Sequence, residues 1–326
     1  MKNKKTNKNI LYVVIFVAIC LIGLSYYSNL SNTTSDKETT GESLQITDNV
    51  AENEKLSNLS YNGQILYYTI TDNIYQIYSK SNTADQELIY TNKDDIEKIK
   101  FANSITNDNK LLAVMSDENT EFGGSLYLIS LDKSNQKEKI FDVFATSQSP
   151  AISPGGEKIA YIVFSNAERE YGFGLYVINQ NGENKVKIDL SPTGIKDIVF
   201  NSTGNKIIYT KEKQIMISDT DGTKQEKLYT VDTNYEIVSI ARADNDIFLI
   251  TLNSHQDNKS KIVKIDTQNN NHKIIFEINN LINDAHYASA EKDKLIYVEN
   301  NQIIINNLNN NSHSIIEGSG ILKWKK

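Results

Sequence analysis

Two kinds of apolar run divide this chain. The first is single and continuous. Residues 10–24 carry no charge, follow Lys2, Lys4, Lys5 and Lys8, and are edged by Tyr26 and Tyr27. As a helix, residues 10–27 span roughly 27 Å, enough for a hydrocarbon core. The eleven Leu, Ile, Val and Phe side chains in the run favour insertion by roughly 5 kcal/mol. The preceding lysines assign residues 1–9 to the cytoplasm and everything after Tyr27 to the outside. Two other readings stay open: Gly23-Leu24-Ser25 has the small-residue spacing of a cleavage site, and Cys20 is a lipidation candidate, although bulky Ile19 precedes it and the apolar run continues beyond it. A single-pass membrane anchor with an extracytoplasmic remainder is the expectation. Residues 28–55 are Ser-, Thr-, Asn-, Asp- and Glu-rich with isolated apolar positions such as Leu44, Ile46 and Val50. They bury too little to offset ordering and read as a flexible polar linker.

The second kind of run is short and recurs. Six apolar stretches each follow a turn and a Gln, Lys or Asp: Gln64-Ile-Leu-Tyr-Tyr-Thr, Lys110-Leu-Leu-Ala-Val-Met, Lys158-Ile-Ala-Tyr-Ile-Val, Lys206-Ile-Ile-Tyr-Thr, Asp246-Ile-Phe-Leu-Ile-Thr and Lys294-Leu-Ile-Tyr-Val. Their leading residues are spaced by 46, 48, 48, 40 and 48 positions, a period that signals propeller blades. An alternating strand precedes each stretch (56–61, 96–102, 148–153, 195–200, 236–242, 282–288). A third follows (74–79, 125–130, 174–179, 214–219, 260–266, 302–307), then a more polar fourth (87–91, 138–143, 185–190, 226–231, 272–278, 313–318). Asn62-Gly63, Asn181-Gly182 and Asp221-Gly222 are hairpin dipeptides. The expected fold class is therefore all-β: a six-bladed β-propeller of four-stranded antiparallel blades over residues 56–326, preceded by one N-terminal transmembrane helix. A lone sheet of this kind leaves two partly apolar faces, and ring stacking buries both while leaving short edges. Residues 321–326 supply one strand more than six blades need. That strand is expected to pair with the first blade and latch the ring, in competition with residues 56–61 for the same innermost place.

Composition narrows the function. Of 326 residues 39% are hydrophobic and 23% charged, which suits a packed core. The single cysteine excludes a disulfide framework, a cysteine zinc cluster and a Cys-x-x-Cys redox pair. A net charge of −7 is the wrong sign for a nucleic-acid binder.

Ala151-Ile-Ser-Pro-Gly-Gly-Glu-Lys-Ile-Ala-Tyr-Ile-Val, followed by Gly174-Leu-Tyr-Val-Ile-Asn-Gln-Asn-Gly182, resembles the repeat of TolB-like propellers, a repeat also found in the propeller of dipeptidyl-peptidase-type enzymes. Phe200-Asn-Ser-Thr-Gly-Asn-Lys-Ile-Ile-Tyr-Thr, then Met216-Ile-Ser-Asp-Thr-Asp-Gly222, matches the same template. TolB proteins carry an α/β domain before the propeller and the peptidases a hydrolase domain after it; neither is expected here. The resemblance implies an exported propeller that serves as a docking surface.

No residue pattern points to catalysis. There is no Gly-x-Ser-x-Gly elbow. His272 and His313 open polar fourth strands, His255 falls in a loop, and His286, on an innermost strand, lacks a paired carboxylate at motif spacing. Asp219-Thr-Asp221-Gly222 reads as a hairpin turn, because Ile217 and Leu228 occupy positions where a calcium loop needs ligands. The innermost strands offer single acids (Asp197, Glu236, Asp284), so no cofactor and no metal site is expected, and a channel-centred hydrolase or lactonase is the alternative. A scaffolding or sensory ectodomain is a further one. The expected site is a rim patch: the loops 116–124 and 165–172 join the second and third strands of neighbouring units and carry Phe122, Glu168, Arg169, Tyr171 and, at the edge, Phe173. Phe144 and Tyr235 on blade-to-blade connections extend it. Aromatic rings beside charges bury large area at small entropic cost, as a protein or peptide partner in the cell envelope requires; alternatively these rings pin their own loops to the blade edges. A small-molecule substrate is not expected.

Overall fold

The computed structural model describes residues 63–325 apart from 73, 82–83, 94, 117–123, 133, 135, 144–149, 164–173, 191–193, 288–291 and 311. The expected anchor, linker and run 56–61 lie outside the described residues. Among those described, every regular element is a β-strand, and no helix is long and apolar enough to cross a membrane.

Twenty-four strands form six four-stranded antiparallel sheets. Blade 1 contributes β1 (Gln64–Thr71), β2 (Ile74–Ser81) and β3 (Glu87–Thr91). Blade 2 holds β4 (Lys98–Ile105), β5 (Lys110–Ser116), β6 (Gly124–Ser130) and β7 (Lys137–Val143). Blade 3 follows with β8 (Ala151–Ile152), β9 (Lys158–Val163), β10 (Gly174–Asn179) and β11 (Val186–Asp189), and blade 4 with β12 (Ile198–Phe200), β13 (Lys206–Lys211), β14 (Gln214–Asp219) and β15 (Glu226–Thr230). Blade 5 is β16 (Glu236–Asp244), β17 (Ile247–Ser254), β18 (Lys259–Asp266) and β19 (Asn271–Ile278). Blade 6 is β20 (Asn283–Tyr287), β21 (Lys294–Glu299), β22 (Gln302–Asn307) and β23 (His313–Glu317). The last strand, β24 (Gly320–Lys325), returns to blade 1.

The repeat sets where the core goes. Alternation sends successive residues of a second strand to opposite faces, and each face meets a different neighbour. On β13, Ile207 and Tyr209 join a cluster with blade 3, whereas Ile208 joins one with blade 5. Six such clusters fill the six gaps between blades. The second strands are accordingly buried almost end to end, as on β5 and β17, while the outermost β7 and β19 are largely exposed.

Turn chemistry repeats as well. Before the second strand, a short polar side chain accepts the backbone N–H that opens it: Thr106 from Lys110 (2.9 Å), Ser153 from Lys158 (2.9 Å) and Asn201 from Lys206 (3.1 Å). Gly156 and Gly204 take the left-handed conformation (φ 90° and 68°) these turns require. Asp219-Thr-Asp221-Gly222 is the expected hairpin turn, with Gly222 N–H on Asp219 O at 3.0 Å.

Ring closure falls to β24. It pairs antiparallel with β1, Gln64 opposite Lys325 and Tyr68 opposite Gly320. Ile321 enters the core between blades 6 and 1, and Leu322 the core between blades 1 and 2. A Cβ on Gly320 would lie 2.3 Å from the Tyr68 ring, so glycine admits the close approach. Contacts run from β4 to β8, β12, β16, β20, β24 and back to β4, a closed circle. Innermost strands come out shorter than expected, among them β8 against 148–153 and β12 against 195–200. At the latter, Thr210 Oγ accepts the N–H groups of Lys196 (2.6 Å) and Asp197 (3.2 Å), a side chain standing in for the ladder.

Candidate functional site

The innermost strands enclose a channel cavity of about 1050 Å³. Its chemistry gathers around two carboxyl groups. Asp197 precedes β12; its Oδ1 accepts the N–H of Ile198 (2.9 Å) and its Oδ2 that of Ile240 on blade 5 (2.6 Å). Asp284 is the second residue of β20. Its Oδ2 accepts the N–H of Ile321 on β24 (3.2 Å), and its Oδ1 lies 3.0 Å from His286 Nε2. Ser104 does the same for blades 2 and 3, accepting the Ile152 N–H at 2.9 Å. At alternate junctions of the ring, a channel side chain of one blade thus ties down the backbone of the next.

Burial pushes the Asp197 carboxyl up to about 7, with the Asp284 charge adding to the rise and the two backbone N–H groups and His286 opposing it. Burial and Asp284 likewise raise the Tyr68 hydroxyl, which lines the same cavity. Asp284 sits at φ 53°, in the left-handed region, beside a register shift between Asn283 and His286. The expectation that His286 has no carboxylate companion is corrected here: positions 284 and 286 share one side of the strand, and two-residue alternation carries that signal. Asp197 comes from another blade, and no spacing in the chain announces its approach. Glu236 stands apart, exposed, with Lys196 Nζ at 3.8 Å.

Arg242, on β16 two residues beyond Ile240, lines the channel, as does Lys196. One of the guanidinium's terminal nitrogens donates to the carbonyls of Phe200 and Asn201, both at 3.4 Å, and burial lowers its basicity. Among the described residues no group of three or more His, Cys, Asp or Glu side chains is arranged to hold a metal ion.

Of the expected rim patch, Phe122, Phe144, Glu168, Arg169, Tyr171 and Phe173 lie outside the described residues. The strands flanking their loops are described: β5 and β6 in blade 2, and β9 and β10 in blade 3. In this topology second-to-third connections leave from the same end of each blade, which is also the end where Asp197 and Asp284 begin their strands. Tyr235 is described, and its expected exposure is corrected. It is 8% exposed and packs in the core between blades 4 and 5. Lys261 Nζ lies 4.5 Å from its ring centroid, and Lys213 Nζ donates to its carbonyl. The ring is large and apolar, and the inter-blade gap offers more contact than the rim does. His255, His272 and His313 are exposed, as their strand and loop positions predict.

A scan against protein-family models gives no match, and a search of curated proteins gives none. Solved structures do share the fold. TolB from Acinetobacter baumannii superposes with a TM-score of 0.58 at 14% identity, covering 81% of this chain and 67% of that one. The structure of a nidogen/laminin complex contributes a chain matching at 0.56 and 14%, covering 79% of this chain and 97% of that one. An oligogalacturonate lyase in complex with manganese matches at 0.55 and 8%, covering 78% of each. The architecture is a six-bladed β-propeller, similar in fold to that of TolB.

Proposed function

We propose that this chain is an extracytoplasmic docking propeller, held at the cell membrane by residues 10–27 and binding a protein or peptide of the envelope through loops 116–124 and 165–172. One observation carries the reading: two of the channel's carboxyl groups, Asp197 and Asp284, help hold the ring together, each with an oxygen on the backbone N–H of the next blade. With those oxygens engaged in the scaffold, this reading puts the work on the rim loops. The likeness to TolB and to a chain of the nidogen/laminin complex supports the same direction. The test is crosslinked capture from intact envelopes with the full chain and with Phe122, Tyr171 and Phe173 replaced together by Ala. Loss of the captured partner is expected, with stability held within about 1 kcal/mol. Undiminished capture overturns the reading.

A second reading has its own support. Asp197, held at about 7 and close enough to Asp284 to feel its charge, faces a cavity able to hold a small substrate. Among the described residues no group of three or more His, Cys, Asp or Glu side chains is placed to hold a metal such as the manganese of the lyase. Turnover of oligogalacturonate that falls at least 100-fold in a folded Asp197→Asn variant would favour this reading, and absence of turnover in the parent chain would remove it.

A further inference from the structure

The inner wall carries one charge whose needs the fold leaves unmet. Arg242 lines the channel cavity and offers five N–H donors in a planar fork. A single terminal nitrogen makes its two hydrogen bonds, both 3.4 Å long and both to uncharged carbonyls. Among the described residues no carboxyl group pairs with it. Asp244, next but one along β16, is engaged by Lys292 at 2.7 Å and by the Asn245 N–H at 2.9 Å. Asp197 and Asp284 hold the backbones of blades 5 and 1. Other cations near the inner strands do have partners, as Lys196 has Glu236 and Lys211 has Asp189 at 2.8 Å. Burial without a counter-charge weakens the guanidinium's hold on its proton, and an anion beside it reverses that cost. On the same strand, the Ser239 hydroxyl is also buried without a hydrogen-bond partner, and its residue lines the same cavity.

We infer that the Arg242 end of the channel is a binding site for a carboxylate group, gripped by the free edge of the guanidinium. A planar fork matches a carboxylate two hydrogen bonds at a time, and such pairs are strongest where water is thinned. The carboxylate has two possible sources: a small polycarboxylate entering the channel, or an acidic side chain of an extended peptide reaching in. This inference is independent of the rim-loop docking reading and survives its failure.

The chain's arginine content makes the test specific. Arg169 and Arg242 are its two arginines, so a nitrogen-15 spectrum of the full chain in detergent holds two Nε resonances. Arg169→Lys identifies which is which. Titration with citrate, and separately with a short Asp- and Glu-rich peptide, against sodium chloride of equal ionic strength, should move the Arg242 resonance saturably and raise the melting midpoint. Arg242→Gln should weaken the response at least tenfold. Arg242→Lys, which keeps the charge but loses the fork, should recover part of it and serves if the Gln variant does not fold. Saturation by citrate assigns the site to small polycarboxylates, and saturation by the peptide alone assigns it to a polypeptide. An Arg242 resonance and a melting midpoint unmoved by both probes overturn the proposal, as does an equal response in Arg242→Gln.

Discussion

Two junctions of the ring use the same hydrogen bond under different circumstances. Between blades 4 and 5, Asp197 accepts the Ile240 N–H; between blades 6 and 1, Asp284 accepts the Ile321 N–H. The first joins consecutive blades, and desolvation raises its carboxyl to about 7. The second joins distant parts of the chain, and its carboxyl keeps 30% exposure and a histidine companion. The junction of blades 2 and 3 makes the same tie with an uncharged hydroxyl, Ser104. The same bond geometry thus serves as a scaffold device with a charged or an uncharged side chain.

Removing the distant junction altogether separates these cases most. Ending the chain at Glu317 deletes β24 and with it the buried Ile321 and Leu322. A loss of about 5 kcal/mol is expected from their burial alone, read as a large drop in denaturation midpoint. A truncated chain with an unchanged midpoint would mean that β24 contributes nothing to closure. The enclosed junction should respond next, and to pH. The Asp197 carboxyl is raised in the folded chain above its ordinary 3.8, so the folded state holds the proton more tightly. Its contribution to stability is complete at low pH and is lost as pH rises from about 4 through about 7. Asp197→Asn should cost about 1–2 kcal/mol at pH 5, because one of two backbone N–H groups loses its acceptor, and should flatten the decline between pH 5 and 8. An unchanged slope in the variant would assign the decline to other groups. The smallest effect belongs to Ser104→Ala, about 1 kcal/mol with no pH dependence, measured by the same denaturation; a pH-dependent loss there would break the contrast.

Second strands were legible because their apolar runs face neighbours on both sides, and third strands because they follow each run after a short turn. Asp246 of the fifth run lies one residue before β17, and Lys158, Lys206 and Lys294 open their strands as expected. The innermost strands were less legible. Asp197 and Asp284 reach across blades, and Thr210 supplants ladder bonds at β12, neither of which leaves a periodic trace. The grouping in the channel was missed for the same reason: its members lie just before β12, on β16 and on β20, each in a different blade. Tyr235 was misplaced because a large ring on a connection serves the inter-blade gap or the rim equally well until its neighbours are known.

The bond from the Ile70 N–H to Ser319 Oγ joins residues 249 positions apart, and β1 and β24 span a similar interval. Blade 1 is thus the first to be synthesised and the last to be completed. Until β24 arrives, β1 presents an open edge and half of two apolar gaps to whatever surrounds the emerging polypeptide, so the order of synthesis leaves the oldest part of the ring dependent on the newest.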